Sequence, residues 1–99
     1  MSDVNKDIGM RIKELRENAG YSQSELARRL DVTRSSVNAW EMGLSTPTIQ
    51  YVVAIAKLFH VSSDYLLGIK NESTIVLDDL STEEIKLIYD LLKYFDSKK

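Results

Sequence analysis

A chain of 99 residues with 43% hydrophobic content holds one small core, so a single domain is expected rather than several. With no cysteine and one histidine it lacks the side chains for disulfides or a transition-metal site, and no apolar run reaches the roughly 20 residues of a membrane span. The formal charge of −2 is uneven: residues 1–70 carry 9 Lys/Arg against 8 Asp/Glu and residues 71–99 carry 4 against 7, so a broad basic surface is excluded and any affinity for phosphates must come from clustering.

Ile8, Ile12, Leu15 and Ala19 recur at helical spacing and predict a first helix over about 5–19, stopped by Gly20. Ser22 and Glu25 form a capping-box pattern, with Tyr21 and Leu26 placed as a hydrophobic staple. Leu26, Ala27 and Leu30 then predict a second helix over about 22–30. Asp31 stands where the turn calls for a positive φ, which Asp tolerates better than most residues. Thr33 is the expected cap of a third helix, with Val37 and Trp40 as its buried stripe and Gly43 as its end.

The loop GLSTP follows, and Thr46 or Thr48 caps a fourth helix whose inward stripe is Val52, Ile55, Ala56 and Phe59. Ser62 caps a short fifth helix that ends at Gly68. Residues 70–80 read as a linker whose TIVL run is either extended or packed on the domain. Leu80, Ser81, Glu84 and Ile85 repeat the staple and capping box, and Ile85, Ile88, Leu92 and Phe95 carry a last helix over about 82–96. Leu87, Leu91 and Tyr94 widen its apolar surface. The N-terminal run MSDVNKDIG has no signal-peptide apolar region, so a cytoplasmic location is expected.

Helices 2 and 3 are separated only by Asp31 and Val32, which is the geometry of a helix-turn-helix. The run IGMRIKELRENAGYSQSELARRLDVTRSSVNAWEMG and the later HVSSDYLLG resemble the lambda-repressor-like helix-turn-helix proteins of the Xre/Cro family. The resemblance covers about residues 5–69 and implies an all-α fold: a five-helix DNA-binding domain over 1–69, followed by the 70–80 linker and a C-terminal amphipathic helix over 81–99.

It also implies a sequence-specific transcriptional regulator, most simply a repressor, whose partner is double-stranded DNA. Resemblance puts base contacts at Arg34, Ser35 and Ala39, with Asn38 close by, on the face that Arg34 and Asn38 share four residues apart. Arg pairs with guanine through two hydrogen bonds and Asn with adenine, whereas Ala39 offers only an apolar contact. Ser22, Gln23, Arg28, Thr33, Ser45 and Thr46 are the expected contacts to the DNA backbone, Arg29 and Lys13 being weaker candidates. In the family the residue matching Gln23 touches the DNA backbone and braces the recognition helix. The loop after helix 3 departs from the family, with Leu44, Ser45 and Thr46 where a Lys or Arg is common. The resemblance further makes Arg16 and Glu41 a structural ion pair.

Proteins of this type read two half-sites as dimers. Ile85, Ile88, Leu91, Leu92 and Phe95 are the expected dimerisation surface, the alternative being that the last helix docks on its own domain. A second reading is an antitoxin or other interaction protein that binds a protein partner through this helix. The adjacent carboxylates Asp78/Asp79 and Glu83/Glu84 sit at a helix start, where negative charge favours the dipole. No nucleophile triad or glycine-rich phosphate loop is present, so neither an enzyme nor a cofactor nor a metal is expected.

Overall fold

The computed structural model describes residues 4–69 and 75–97, with side chains from residue 8 onward. Residues 1–3, the first part of the expected linker (70–74) and residues 98–99 lie outside the described residues. Six helices follow one another: α1 Val4–Asn18, α2 Gln23–Leu30, α3 Arg34–Glu41, α4 Ile49–Phe59, α5 Ser63–Leu66 and α6 Thr82–Ser97. No strand occurs among the described residues.

The helix starts are set by side-chain caps. Ser22, Thr33, Ser62 and Ser81 each accept a backbone N–H from the residue three positions on, at 3.0–3.1 Å. Thr48 has cap geometry but makes no side-chain cap bond. The box at Ser81 is reciprocal, because Glu84 returns to the Ser81 N–H at 2.9 Å. At Ser22 it is one-sided, since the Glu25 carboxylate turns to Arg28 and Arg29.

The first five helices all end in a left-handed residue: Gly20, Asp31, Gly43, His60 and Gly68, with φ of 56° to 81°. The next residue's N–H then reaches back to close the helix, as from Tyr21 to the Arg16 carbonyl at 3.0 Å and from Val61 to the Ala56 carbonyl at 3.0 Å. Asp31 is left-handed as expected; His60 is a second non-glycine case.

Ile8, Ile12, Leu26, Val37, Trp40, Val52, Ile55 and Leu66 meet in one core. Leu26 and Val37 are fully buried, and each such side chain contributes about 1.5–3 kcal/mol. Ala19 falls outside the core: α1 stops one residue earlier and Ala19 is exposed. Trp40 is 6% exposed, with its ring 5.7 Å from that of Tyr51. Gly9 lets α1 approach α3, since a Cβ there would stand 2.2 Å from the Trp40 carbonyl oxygen.

The second half of the linker is tied to the domain. The Val76 N–H donates to the His60 carbonyl at 2.8 Å, and Val76 and Asp79 line a cavity of about 210 Å³ with Val53, Ala56, Lys57 and His60. In contrast, α6 buries none of its residues. Ile85 and Ile88 are half-buried, while Leu87, Tyr89, Leu91, Leu92, Tyr94 and Phe95 are exposed.

Candidate nucleic-acid interface

The α2–turn–α3 unit is held by a chain of polar contacts that begins in α1. Arg16 Nε and Nη2 donate to the two Glu41 oxygens at 2.6 and 3.0 Å, a bidentate pair with side chains 11% and 3% exposed. Arg16 Nη1 donates to the Tyr21 carbonyl at 2.8 Å, so one guanidinium joins α1, the α1–α2 turn and α3. Its bonds to Glu41 raise the Arg16 pKa further above its ordinary value.

Gln23, the first residue of α2, continues the chain. Its Nε2 donates to Glu41 Oε1 at 3.1 Å and to Asn38 Oδ1 at 3.2 Å. The start of α2 is thereby braced against the middle of α3. Asn38 Nδ2 donates in turn to the Met42 sulfur at 3.5 Å.

The residues expected to face bases divide by exposure. Arg34 and Ser35 are exposed on the first turn of α3, and Arg34 has no ion pair among the described residues. Asn38 and Ala39 are half-buried, with Asn38 already engaged by Gln23.

The expected backbone contacts divide in the same way. Ser22, Ser45 and Thr46 are exposed and Gln23 is half-buried. The Thr33 oxygen caps α3 and lies 3.0 Å from the Ser36 hydroxyl. Arg28 is not an isolated charge, because its guanidinium bonds the Glu25 carboxylate at 2.7 and 3.1 Å. That pair is exposed, so water and salt weaken it and a phosphate can compete for the Arg. The Arg28 bonds lower the Glu25 pKa, with Arg29 adding to the effect. Arg29 also lies over the Tyr21 ring at 4.6 Å, and Tyr21 packs 5.9 Å from Phe59. Glu25 and Met42 are therefore members of the site that sequence reasoning passed over. The capping pattern supplied a sufficient role for Glu25, and an exposed Met carries no polar signal.

Among the described residues no group of His, Cys, Asp and Glu is arranged to hold a metal ion, and no helix is long and apolar enough to cross a membrane.

The helix-turn-helix model HTH_3 matches residues 12–66, which span the core from α1 to α5. The chain belongs to this helix-turn-helix family. Among curated relatives, the HTH-type transcriptional regulator SinR of Bacillus subtilis is 39% identical over 93 residues, covering 93% of this chain and 83% of SinR. A crystal structure of SinR in complex with DNA aligns with a TM-score of 0.57 at 41% identity, over 61% of this chain and 97% of that one. A SinR–SinI complex aligns at 34% identity and the same TM-score of 0.57, over 86% of this chain and 78% of that one. The P22 c2 repressor bound to a synthetic operator aligns at 27% identity and a TM-score of 0.57, over 60% of this chain and 89% of that one. The fold of this HTH_3 protein is thus the lambda-repressor-like one that the sequence resemblance implied.

Proposed function

We propose that the chain is a sequence-specific DNA-binding transcriptional regulator, acting as a repressor, that sets α3 in the major groove. The observation that carries the reading is the exposed Arg34, without an ion pair among the described residues, at the leading turn of a braced α3. An arginine so placed suits guanine O6 and N7. Likeness to SinR and to the P22 c2 repressor, each solved with DNA, supports the same reading. Arg34 and Ser35 read bases, with Asn38 and Ala39 beside them, while Ser22, Gln23, Arg28, Thr33, Ser45 and Thr46 line the approach to the backbone. The α3–α4 loop carries no formal charge, so phosphate attraction is modest and the salt slope corresponds to a few phosphates per protomer.

The functional unit is a homodimer joined through the exposed apolar face of α6, its two α3 helices roughly 34–36 Å apart. Residues 1–69 are the DNA-binding domain, 70–80 the connection and 81–99 the dimerisation element. The protein works in the cytoplasm, and no catalytic role belongs to this reading. The extent of the likeness favours a second use of the same helix. Alignment with the SinR–SinI complex reaches 86% of the chain, against 61% for the SinR–DNA structure, so a protein partner on α6 is the alternative occupant.

Selection of duplexes from a random pool tests the DNA reading, and an enriched two-part site is expected. Arg34→Ala then costs about 1–3 kcal/mol and relaxes preference at one base pair. Equal weakening on every sequence makes Arg34 a phosphate ligand, and no enrichment by the unaltered chain removes the reading.

A further inference from the structure

An unconstrained asparagine reads adenine with two bonds, Oδ1 accepting from N6 and Nδ2 donating to N7. The contacts around Asn38 turn the accepting end of that pair inward, toward Gln23. Arg16 can only donate, so the Glu41 carboxylate lies against it as an acceptor. The Gln23 atom 3.1 Å from Glu41 Oε1 is therefore the donor, Nε2. The same nitrogen is 3.2 Å from Asn38, which must meet it with its acceptor, Oδ1. Polarity thus passes from Arg16 through Glu41 and Gln23 and fixes which way the Asn38 amide points. Its free end is Nδ2, whose partner is the sulfur of exposed Met42, a weak acceptor that a base edge can displace.

The same chain settles what Gln23 can offer. Nε2 carries two hydrogens, and both are spent, one on Glu41 and one on Asn38. What remains on the side chain is Oε1, an acceptor, so a phosphate contact at Gln23 falls to its backbone N–H at the first position of α2.

We propose that Asn38 reads a base through its outward amide nitrogen and so selects guanine over adenine, and that Gln23 is the positioning residue that holds the Asn38 oxygen inward. The proposal rests on the DNA-binding reading above. Guanine presents two adjacent acceptors, O6 and N7, to an outward amide nitrogen. Adenine sets its N6 donors beside N7, so its amino group meets the Asn38 amino group donor to donor. Turning the Asn38 amide over to suit adenine brings Nδ2 against Gln23 Nε2, again two donors face to face, and strands both.

The test is selection from randomised duplexes by the full chain and by Asn38→Ala and Gln23→Met, each first shown to melt cooperatively. The unaltered chain is expected to prefer guanine over adenine about tenfold at one base pair, the lower range of a good base contact. Asn38→Ala erases the preference at that pair alone. Gln23→Met, which keeps the volume but loses both donors, lets the Asn38 amide rotate and moves the pair toward adenine. Adenine enrichment by the unaltered chain at the Asn38-sensitive pair overturns the proposal. So does a Gln23→Met variant that weakens all sequences alike, which is the behaviour of a phosphate ligand. No enrichment of any sequence is instead the failure of the DNA reading. The polarity of the pair is then judged in the free protein by NMR. Side-chain amide protons protected at Gln23 and exchanging freely at Asn38 support it, and the reverse overturns it.

Discussion

Arg16, Glu41, Gln23 and Asn38 come from three helices and are worth little one at a time. Their value is mutual. The Glu41 side chain is 3% exposed, and a carboxylate removed from water at that depth needs its guanidinium. Replacing Arg16 by alanine leaves Glu41 buried without it. That change is expected to lower the free energy of unfolding by about 3–5 kcal/mol in a urea titration. A loss below about 1 kcal/mol is the figure for a surface pair and refutes the structural role given to it. The residue types were legible in the sequence because Arg16 and Glu41 occupy matching family positions. The engagement of Asn38 was not. Nothing in the spacing of Gln23 and Asn38, fifteen residues apart, says that their amides meet.

Among the elements, α1 and α3 show how one residue sets an interhelical distance. Gly9 is an ordinary helical position in the sequence, and alanine there carries an intrinsic helix advantage of about 1 kcal/mol. In the fold its missing Cβ is what admits the Trp40 and Glu41 carbonyls. Gly9→Ala is therefore expected to cost about 1–3 kcal/mol net, read as a lower melting temperature. A rise in melting temperature is incompatible with this close approach.

The start of α6 gives a pH prediction. The Ser81 backbone N–H, followed by the Ser81 side chain, stabilises the ionised Glu84 carboxylate and lowers its pKa from the ordinary 4.5. Ionised Glu84 therefore favours the folded cap fully above that ordinary value, and the benefit is lost as pH falls through the lower folded value. Helicity of α6, followed by circular dichroism, should fall over that acid range in the unaltered chain. Glu84→Gln keeps a capping partner that does not titrate, and it should remove that part of the pH dependence. An identical acid profile in both proteins assigns the change to other carboxylates.

For the whole molecule, the informative contrast is between a core closed by α1–α5 and an α6 that leaves its apolar residues in water. Leu91, Leu92 and Phe95 are 53%, 49% and 53% exposed, and Leu87 is 68% exposed, which is more apolar surface than a lone helix normally presents. If a second copy covers this face, Leu91→Asp should halve the mass measured by sedimentation equilibrium while leaving the melting of the core unchanged. A mass that is already monomeric in the unaltered chain removes the dimer and leaves the protein partner as occupant of α6.

The sequence by itself determined the helices and their caps and stops, apart from the two ends of α4 at Thr48 and His60. These depend on residues three to five apart: Ser81 with Glu84 at one end, a left-handed Asp31 at another. It also determined the core faces of α1 to α5, Ala19 apart, because burial follows the helical period. Only the tertiary structure decided which polar groups were already spent. The His60 carbonyl accepted the Val76 N–H, and Gln23 gave both its hydrogens inward to α3. A hydrogen bond is a matter of direction and distance between side chains from different elements. Periodicity carries no information about which of two candidate partners a side chain meets.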